Sequence, residues 1–267
     1  MFEHAVVAWR SGLRSRSFHA TFILGLLAMG AAYLAAQFSG RQPATVALDV
    51  GLSGIRIIVL LMVVFWCQEL VAREVEKRTV FLALSYPVPR SSYLLGRYFG
   101  VLALTFAAIV VLGIFLYIST YFAEKLFVQQ QAVNLGWGFG ITLFYIFVDA
   151  AVIAAFTILV ASFSTTPLLP LALGLAFAVA ARGLGQSLAY LRDPDSGSAG
   201  LAPTMNPVFN IVRWVIPDLG QLDIRSATLY NVWPDNAHLF WPFANAMAYC
   251  LVTLTIAVMI FRRRQFN

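Results

Sequence analysis

The sequence predicts an all-α integral membrane protein. Of its 267 residues, 60% are hydrophobic and only 11% are charged, whereas a soluble domain carries about a quarter charged residues. The apolar runs are about twenty residues long, the length of a helix that crosses about 30 Å of hydrocarbon. They lack the alternation of polar and apolar residues that barrel strands show, so we expect membrane helices.

The first segment, residues 1–17, predicts a short amphipathic helix lying in the membrane interface. Its apolar side chains recur at helical spacing: Phe2, Val6, Trp9 and Leu13. Three arginines lie largely off this stripe: Arg10, Arg14 and Arg16. A tryptophan at the seam between the two faces favours the headgroup layer. The alternative is an ordinary basic flank that only sets topology.

Six apolar runs then predict six membrane spans in a single transmembrane domain that covers residues 1–267. The spans are expected at approximately 18–38, 52–72, 98–121, 137–163, 167–190 and 241–261. Residues 191–240 form the longest predicted exterior loop. It opens with the polar stretch RDPDSGSAG and becomes apolar again, which predicts a short amphipathic helix between Asn206 and Pro217.

The distribution of Lys and Arg predicts that both termini are cytoplasmic. With the N-terminus inside, the cytoplasmic ends carry eleven basic residues: Arg10, Arg14, Arg16, Arg73, Lys77, Arg78, Arg90, Arg97, Arg262, Arg263 and Arg264. The opposite ends carry five: Arg41, Lys125, Arg192, Arg213 and Arg225. Because the positive charge gathers at span ends rather than on one soluble face, we expect no nucleic-acid partner.

The cytoplasmic segment between spans two and three, residues 69–97, is more than a charged link. Acidic and basic side chains from Glu69 to Lys77 are spaced to pair on neighbouring helical turns, so span two is expected to continue into water. Pro87 and Pro89 then break the helix. A loop that only sets topology needs the charge but not a kinked amphipathic helix.

This segment carries a family resemblance. The run E-x4-E-x-E-K-R-T-x4-L-S-x-P-V-x-R-x2-Y-L-L-G-R resembles the signature of the membrane subunits of ABC-2 type transporters. Two positions depart from that pattern, since Pro89 stands in place of a serine and Arg97 in place of a lysine. The matching residues are Glu74, Glu76, Lys77, Arg78, Thr79, Leu84, Pro87, Val88, Arg90, Tyr93, Leu94, Leu95 and Gly96.

The resemblance implies an ABC-2, type V exporter-like fold and a passive role driven by a separate ATPase. In that family the segment is the coupling helix, which seats in a groove of the nucleotide-binding subunit. The expected coupling residues are Glu74, Glu76, Lys77, Arg78, Thr79, Leu84, Pro87, Pro89 and Arg90. The resemblance also implies a pair of permease chains, expected to be identical, on a cytoplasmic ATPase dimer in a bacterial inner membrane. It further implies a re-entrant or helical link before span six.

The nearest likeness is to permeases that serve multicopper-enzyme maturation and gliding motility, which would imply a periplasmic accessory protein. The chain holds six Met and three His without clustering, so it offers no copper site of its own. Cys67 and Cys250 are expected to be small core residues.

The motifs of several enzyme classes are missing from the sequence. No G-x4-G-K-[ST] occurs, so the chain is not expected to bind ATP in the P-loop manner. ATP and magnesium belong on the partner ATPase, and we expect neither a cofactor nor an enzymatic activity in this chain. The transported substrate is not named by the sequence.

Three charges fall within the predicted spans: Arg56, Asp149 and Arg182. Each costs on the order of 2.5–3.5 kcal/mol to insert. Asp149 is therefore expected to pair with Arg182 or Arg56, or to face a polar pathway between two protomers. Arg56, near the outer end of its predicted span, can snorkel. Glu69, at the cytoplasmic end, is expected to be a gate or coupling residue.

Two other functions compete with this interpretation. A secondary transporter would show internal symmetry, broken helices and several polar residues at the membrane midplane. A rhomboid-like protease would use Ser53 in Gly51-Leu52-Ser53-Gly54, with His238 as the base. A match of four residues in a glycine-containing chain is weak, and Ser-Gly at a helix start is commonly a cap.

Overall fold

A computed structural model describes residues 2–72, 89–126, 133–166, 168–192 and 216–263. Within these ranges every regular element is helical. The eight α-helices are α1 (Phe2–Leu13), α2 (Arg16–Gln37), α3 (Pro43–Cys67), α4 (Arg90–Leu126), α5 (Trp137–Phe163), α6 (Leu168–Arg192), α7 (Arg225–Leu229) and α8 (Asn236–Arg263). A π-helical turn, Gln68–Ala72, extends α3, and a 3-10 turn spans Leu219–Leu222.

Six of these helices are long and apolar enough to cross a membrane, which confirms the predicted number of spans. Their apolar cores are Arg16–Gln37, Pro43–Val71, Ser91–Ala123, Trp137–Phe163, Leu168–Ser187 and Leu239–Arg263. The chain is thus a multi-pass membrane protein. We call the side that bears α1 and the end of α8 the terminus face, and the opposite side the loop face.

Local chemistry sets where the first two spans begin. Ser15 separates α1 from α2, and its hydroxyl accepts a hydrogen bond from the Phe18 N–H at 3.0 Å as an N-cap. Pro43 occupies the first turn of α3, where its missing N–H carries no penalty. The helical form of α1 agrees with the prediction, while its position in the membrane interface stays a prediction.

Helix α3 corrects the predicted position of span two. It begins at Pro43, nine residues before the expected start at residue 52, because Ala44, Ala47 and Leu48 are buried and extend the apolar face. Arg56 is therefore the fourteenth residue of a 25-residue helix rather than a residue near its outer end. Its guanidinium group is largely buried and lies near the carboxylates of Asp149 and Asp223.

Helix α5 forms the centre of the bundle. It packs against α3, α4, α6 and α8, and most of its side chains are buried. The run from Ala150 to Ala155 is buried on every side of the helix, as expected for a helix that is apolar all round. Helices α2 and α8 lie at the periphery, and most of their side chains are half-buried or exposed.

The link before α8 folds back onto the bundle on the loop face. Its apolar side chains are buried: Leu219, Leu222, Ile224 and Leu229. The hydroxyls of Thr228 and Thr142 lie 2.7 Å apart, and the Asn134 N–H donates to the Thr228 carbonyl at 2.9 Å. Because α6 runs to Arg192 and α8 begins at Asn236, the link is shorter than the predicted 191–240. Most of the amphipathic helix predicted near Asn206 lies outside the described residues.

Candidate functional site

The three charges within the spans converge on one carboxylate. Arg182 Nη2 on α6 donates to Asp149 Oδ2 on α5 at 2.5 Å. Arg56 Nε on α3 lies 3.9 Å from the same oxygen. Asp149 therefore pairs with both arginines that were considered as its partners. The pair of contacts ties the central helix to two of its neighbours near the middle of the bundle.

The folded-back link adds two further charged residues. Arg56 Nη1 lies 2.6 Å from Asp223 Oδ2. The two carboxylate oxygens of Asp223 in turn lie 3.0 Å from Nε and Nη2 of Arg225, in a bidentate contact. Arg225 also reaches α3, where its Nη1 lies 2.9 Å from Asp49 Oδ1 and 2.6 Å from Ser53 Oγ. Bidentate pairs of this kind fix orientation as well as charge.

We call these six side chains the aspartate–arginine network: Asp49, Arg56, Asp149, Arg182, Asp223 and Arg225. The network sets three carboxyl groups against three guanidinium groups. The network runs from Asp149, whose side chain is 1% exposed, to Asp49, which is 55% exposed. It thus forms a charged path from the interior of the bundle to the loop face.

The pKa of Asp223 shows how the link is held. Burial alone would raise the pKa of this carboxyl group, but the charges of Arg56 and Arg225 and their hydrogen bonds outweigh burial and lower it. Asp223 therefore stays ionised and keeps its attraction to α3. The link is anchored to the membrane helices by charge as well as by its buried apolar side chains.

The buried end of the network is incompletely hydrogen-bonded. Among the described residues, four of its buried polar atoms have no hydrogen-bond partner: Arg56 Nε, Arg56 Nη2, Asp149 Oδ1 and Arg182 Nε. Buried donors and acceptors that lack hydrogen-bond partners raise the free energy of the observed arrangement.

Sequence reasoning predicts three of the six network residues and misses the other three. Asp149, Arg56 and Arg182 stand out because charges inside apolar runs are rare. Asp49 and Ser53 share a helix face with Arg56 at spacings of seven and three residues, a signal that was missed because span two was expected to begin later. Nothing in the sequence pattern distinguishes Asp223 and Arg225 from ordinary loop charges.

The geometry of Ser53 does not match that of a protease nucleophile. Its hydroxyl oxygen accepts a hydrogen bond from Arg225 Nη1 at 2.6 Å, and a guanidinium group cannot serve as a base in proteins. The side chain of His238 lies outside the described residues. Ser53 is thus placed as a hydrogen-bond acceptor that helps hold the link.

The coupling segment lies largely outside the described residues, including Glu74, Glu76, Lys77, Arg78, Thr79, Leu84 and Pro87. Its two ends are described. Glu69 lies on the π-helical turn that follows α3, a form of helix often found at functional sites. Pro89 is exposed, and its carbonyl accepts from the Ser92 N–H at 2.9 Å as α4 begins at Arg90.

The last part of the motif packs inside the protein. Tyr93 is buried and stacks on Phe261 of α8, with ring centroids 5.8 Å apart. The guanidinium carbon of Arg97 lies 5.4 Å from the centre of the Tyr93 ring, a cation–π contact. Tyr93 therefore fixes the start of α4 against the end of α8, and Arg97 packs on the Tyr93 ring from the next turn of α4.

The fold and its charged interior define a six-span helical membrane protein. Residues 44–182 match the family described as ABC-2 family transporter protein, and this chain belongs to that family. The match covers α3, α4 and α5, the coupling segment, and the network residues Asp49, Arg56, Asp149 and Arg182. No curated protein matches the chain.

Family membership establishes the general role. The chain is the membrane permease of an ABC-2 transporter, a transport component rather than an enzyme, and membership implies partnership with an ABC ATPase. ATPase activity lies outside this membrane domain.

Proposed function

We propose that this chain is the permease subunit of an ATP-driven exporter and that a separate ATPase moves it through residues 69–97. The observation that carries the proposal is the family match, which includes both helices that flank this segment as well as the segment itself. The proposed contact residues are Glu74, Glu76, Lys77, Arg78, Thr79, Leu84, Pro87, Pro89 and Arg90.

The described ends of the segment support a mechanical connection. Helix α3 continues without a break through the π-helical turn at Gln68–Ala72, and α4 begins at Arg90. A force applied between these points therefore acts on two membrane helices at once. Since α3 also carries Arg56, its movement would change the distances from Arg56 to Asp149 and Asp223.

This mechanical connection suggests how ATP hydrolysis would open a path for the transported substrate. In the observed arrangement the aspartate–arginine network joins α3, α5, α6 and the link on the loop face. Tilting α3 would break or exchange these ion pairs and release the link. Glu69, at the end of α3 nearest the coupling segment, would transmit the movement.

The wider assembly follows from the same proposal. Two identical permease chains would stand on an ATPase dimer that binds ATP and magnesium, in a bacterial inner membrane with both chain termini in the cytoplasm. A periplasmic accessory protein would receive or modify the cargo. Membrane lipid is the remaining partner.

A role in maturing a periplasmic copper enzyme is a finer proposal, and it depends only on the residues and spacing of the motif. Among the described residues, no group of three or more His, Cys, Asp or Glu side chains could hold a metal ion. In such a role the permease would move a cargo needed by the copper enzyme, and another protein would bind the copper.

The test is to recover the ATPase with the full chain and to weaken that association at the coupling segment. We expect affinity-purified wild-type chain to bring down a P-loop ATPase from its native host. Glu74→Ala, Glu76→Ala and Arg90→Ala should lower the recovered ATPase by about tenfold, because each removes a charged contact at an interface. Mass spectrometry of the purified complex measures the ratio.

Arg41→Ala is the matched control, since it removes an exposed arginine on the loop face. It should leave ATPase recovery unchanged. The proposed function is wrong if wild-type chain recovers no P-loop ATPase, or if all three coupling variants recover it as well as Arg41→Ala does.

A further inference from the structure

A polar cleft opens on the terminus face, away from the aspartate–arginine network. Its volume is about 540 Å³, within the range of sites that bind small molecules. It lies between α1, the start of α2 and the π-helical turn after α3. The lining residues are Val7, Arg10, Ser11, Arg14, Ser15 and Glu69.

The packing of α1 explains why these side chains face the cleft. Ala8 is fully buried, and a Cβ added to Gly12 would lie 2.3 Å from Leu104 Cδ1, so this stripe of α1 is pressed against α4. Arg10, Ser11 and Arg14 recur at spacings of one, three and four residues on an adjoining stripe and are exposed. The fold therefore fixes two guanidinium groups and a hydroxyl on one wall.

We propose that this cleft binds the headgroup of a membrane phospholipid that carries both a phosphate and a primary ammonium group, as phosphatidylethanolamine does. Arg10, Arg14 and Ser11 supply donors for the phosphate oxygens. Glu69, on the opposite wall, supplies a carboxylate for the ammonium group. A headgroup without an ammonium, such as that of phosphatidylglycerol, presents the same phosphate but offers no cation to Glu69.

The surroundings of the cleft favour a lipid over a soluble phosphate compound. Ser15 caps the start of α2, the first membrane-crossing helix, so the cleft opens at the depth where headgroups lie. Val7, at its edge, is an exposed apolar residue. Further along its length, α2 exposes Ile23, Leu24 and Leu27, an apolar surface along which an acyl chain can lie.

This inference goes beyond the proposed function, because a lipid can occupy the cleft whether or not an ATPase is bound. The test uses the full chain alone, in nanodiscs that contain equal parts of phosphatidylethanolamine, phosphatidylcholine and phosphatidylglycerol. After extraction, native mass spectrometry counts the phospholipids that each chain retains. A failure here leaves the ATPase experiment untouched.

We expect wild-type chain to retain one phosphatidylethanolamine in about tenfold preference to phosphatidylcholine, whose methylated ammonium cannot donate hydrogen bonds. Arg14→Gln should lower retention of both lipids by about tenfold, since it removes a charge-assisted contact to the phosphate. Glu69→Gln should instead remove the preference for phosphatidylethanolamine. Arg263→Gln, an exposed arginine at the same face outside the cleft, is the control and should change neither.

Three results would overturn the inference. The first is a retention pattern without the expected selectivity, seen either as equal retention by wild type, Arg14→Gln and Glu69→Gln or as a wild-type preference for phosphatidylglycerol. The second is binding of soluble phosphoethanolamine to lipid-free chain as tightly as the intact lipid, which would make the ligand a soluble one. The third is an Arg14→Gln variant that keeps its lipid but loses the ATPase, which would make the cleft a protein-docking surface.

Discussion

At the scale of single residues, the molecule is organised by how it compensates charges inside an apolar bundle. Asp149 is almost completely enclosed, and two arginines from different helices reach the same carboxylate oxygen. The cost of a buried charge makes such pairing predictable from sequence. The same rule says nothing about Asp223, because a charge in a loop carries no cost that would demand a partner.

The substitution Asp149→Asn tests whether this carboxylate stabilises the bundle. It leaves Arg182 without its ion-pair partner and Arg56 with Asp223 alone. We expect the free energy of unfolding to fall by about 3–5 kcal/mol, the usual cost of leaving a buried charge uncompensated. Thermal unfolding of the purified chain in detergent measures the change.

Two further variants make this result specific. Asp49→Asn removes a carboxylate from the exposed end of the same network and should cost less than about 1 kcal/mol. The double variant Asp149→Asn, Arg182→Gln removes both charges of the closest pair and should be more stable than Asp149→Asn alone. Equal loss in Asp149→Asn and Asp49→Asn would show that the buried pair contributes nothing beyond a surface contact.

At the scale of elements, the length of an apolar run predicts well that a membrane helix is present but predicts poorly where the helix begins and ends. The expected span 137–163 coincides with α5, where Gly136 precedes the helix and Ser164 follows it. Span two was placed nine residues late, because Pro43 and the small buried residues after it start the helix before the strongly apolar run begins. Hydropathy alone does not detect a helix start of that kind.

The return of the link onto the bundle depends on close contact at one glycine of α6. A Cβ added to Gly185 would lie 2.3 Å from Asp218 Oδ2 and 2.8 Å from its Oδ1. The Asp218 carboxylate accepts from the Gly220 N–H at 3.0 Å and from Gln221 Nε2 at 3.0 Å, which holds the 3-10 turn. No sequence pattern distinguishes this glycine from its neighbours, since the contact depends on where the link returns.

Gly185→Ala should therefore loosen the link. The added methyl group pushes the Asp218 carboxylate from its capping position, and we expect a loss of about 1 kcal/mol. Limited proteolysis should cut residues 216–235 faster in this variant, and the melting temperature should fall slightly.

Gly183→Ala is the matched control, two residues earlier in the same helix. A Cβ there meets nothing within 4 Å, so the variant should be neutral or gain up to about 1 kcal/mol from helix propensity. If both variants behave alike, the return of the link does not depend on close packing at Gly185.

At the scale of the whole molecule, the sequence predicts an overall architecture, and the structure describes some of its parts but not others. Six spans, a helical N-terminal segment and a link that returns to the bundle are present. The coupling function of residues 69–97 comes from resemblance and family membership, because Glu74 to Pro87 lie outside the described residues. The motif does not indicate which of its residues are buried. Tyr93 and Arg97 lie inside the protein, whereas Pro89 is exposed.

The orientation in the membrane remains a prediction, and it decides which face meets the ATPase. Eleven basic residues against five place α1, the coupling segment and the end of α8 in the cytoplasm. The native cysteines are both buried and unpaired, so a background with Cys67→Ala and Cys250→Ala should keep the fold. Melting temperature verifies this before any labelling.

In that background, single cysteines report the two faces to a membrane-impermeant maleimide. Arg41→Cys, between α2 and α3, should react in intact spheroplasts, whereas Arg263→Cys at the end of α8 should react only after lysis. The opposite pattern would place the coupling segment outside, where no ATP-driven motor could reach it. Labelling of both sites in intact cells would contradict the six-span plan itself, because five crossings separate Arg41 from Arg263 and put them on opposite faces in either orientation.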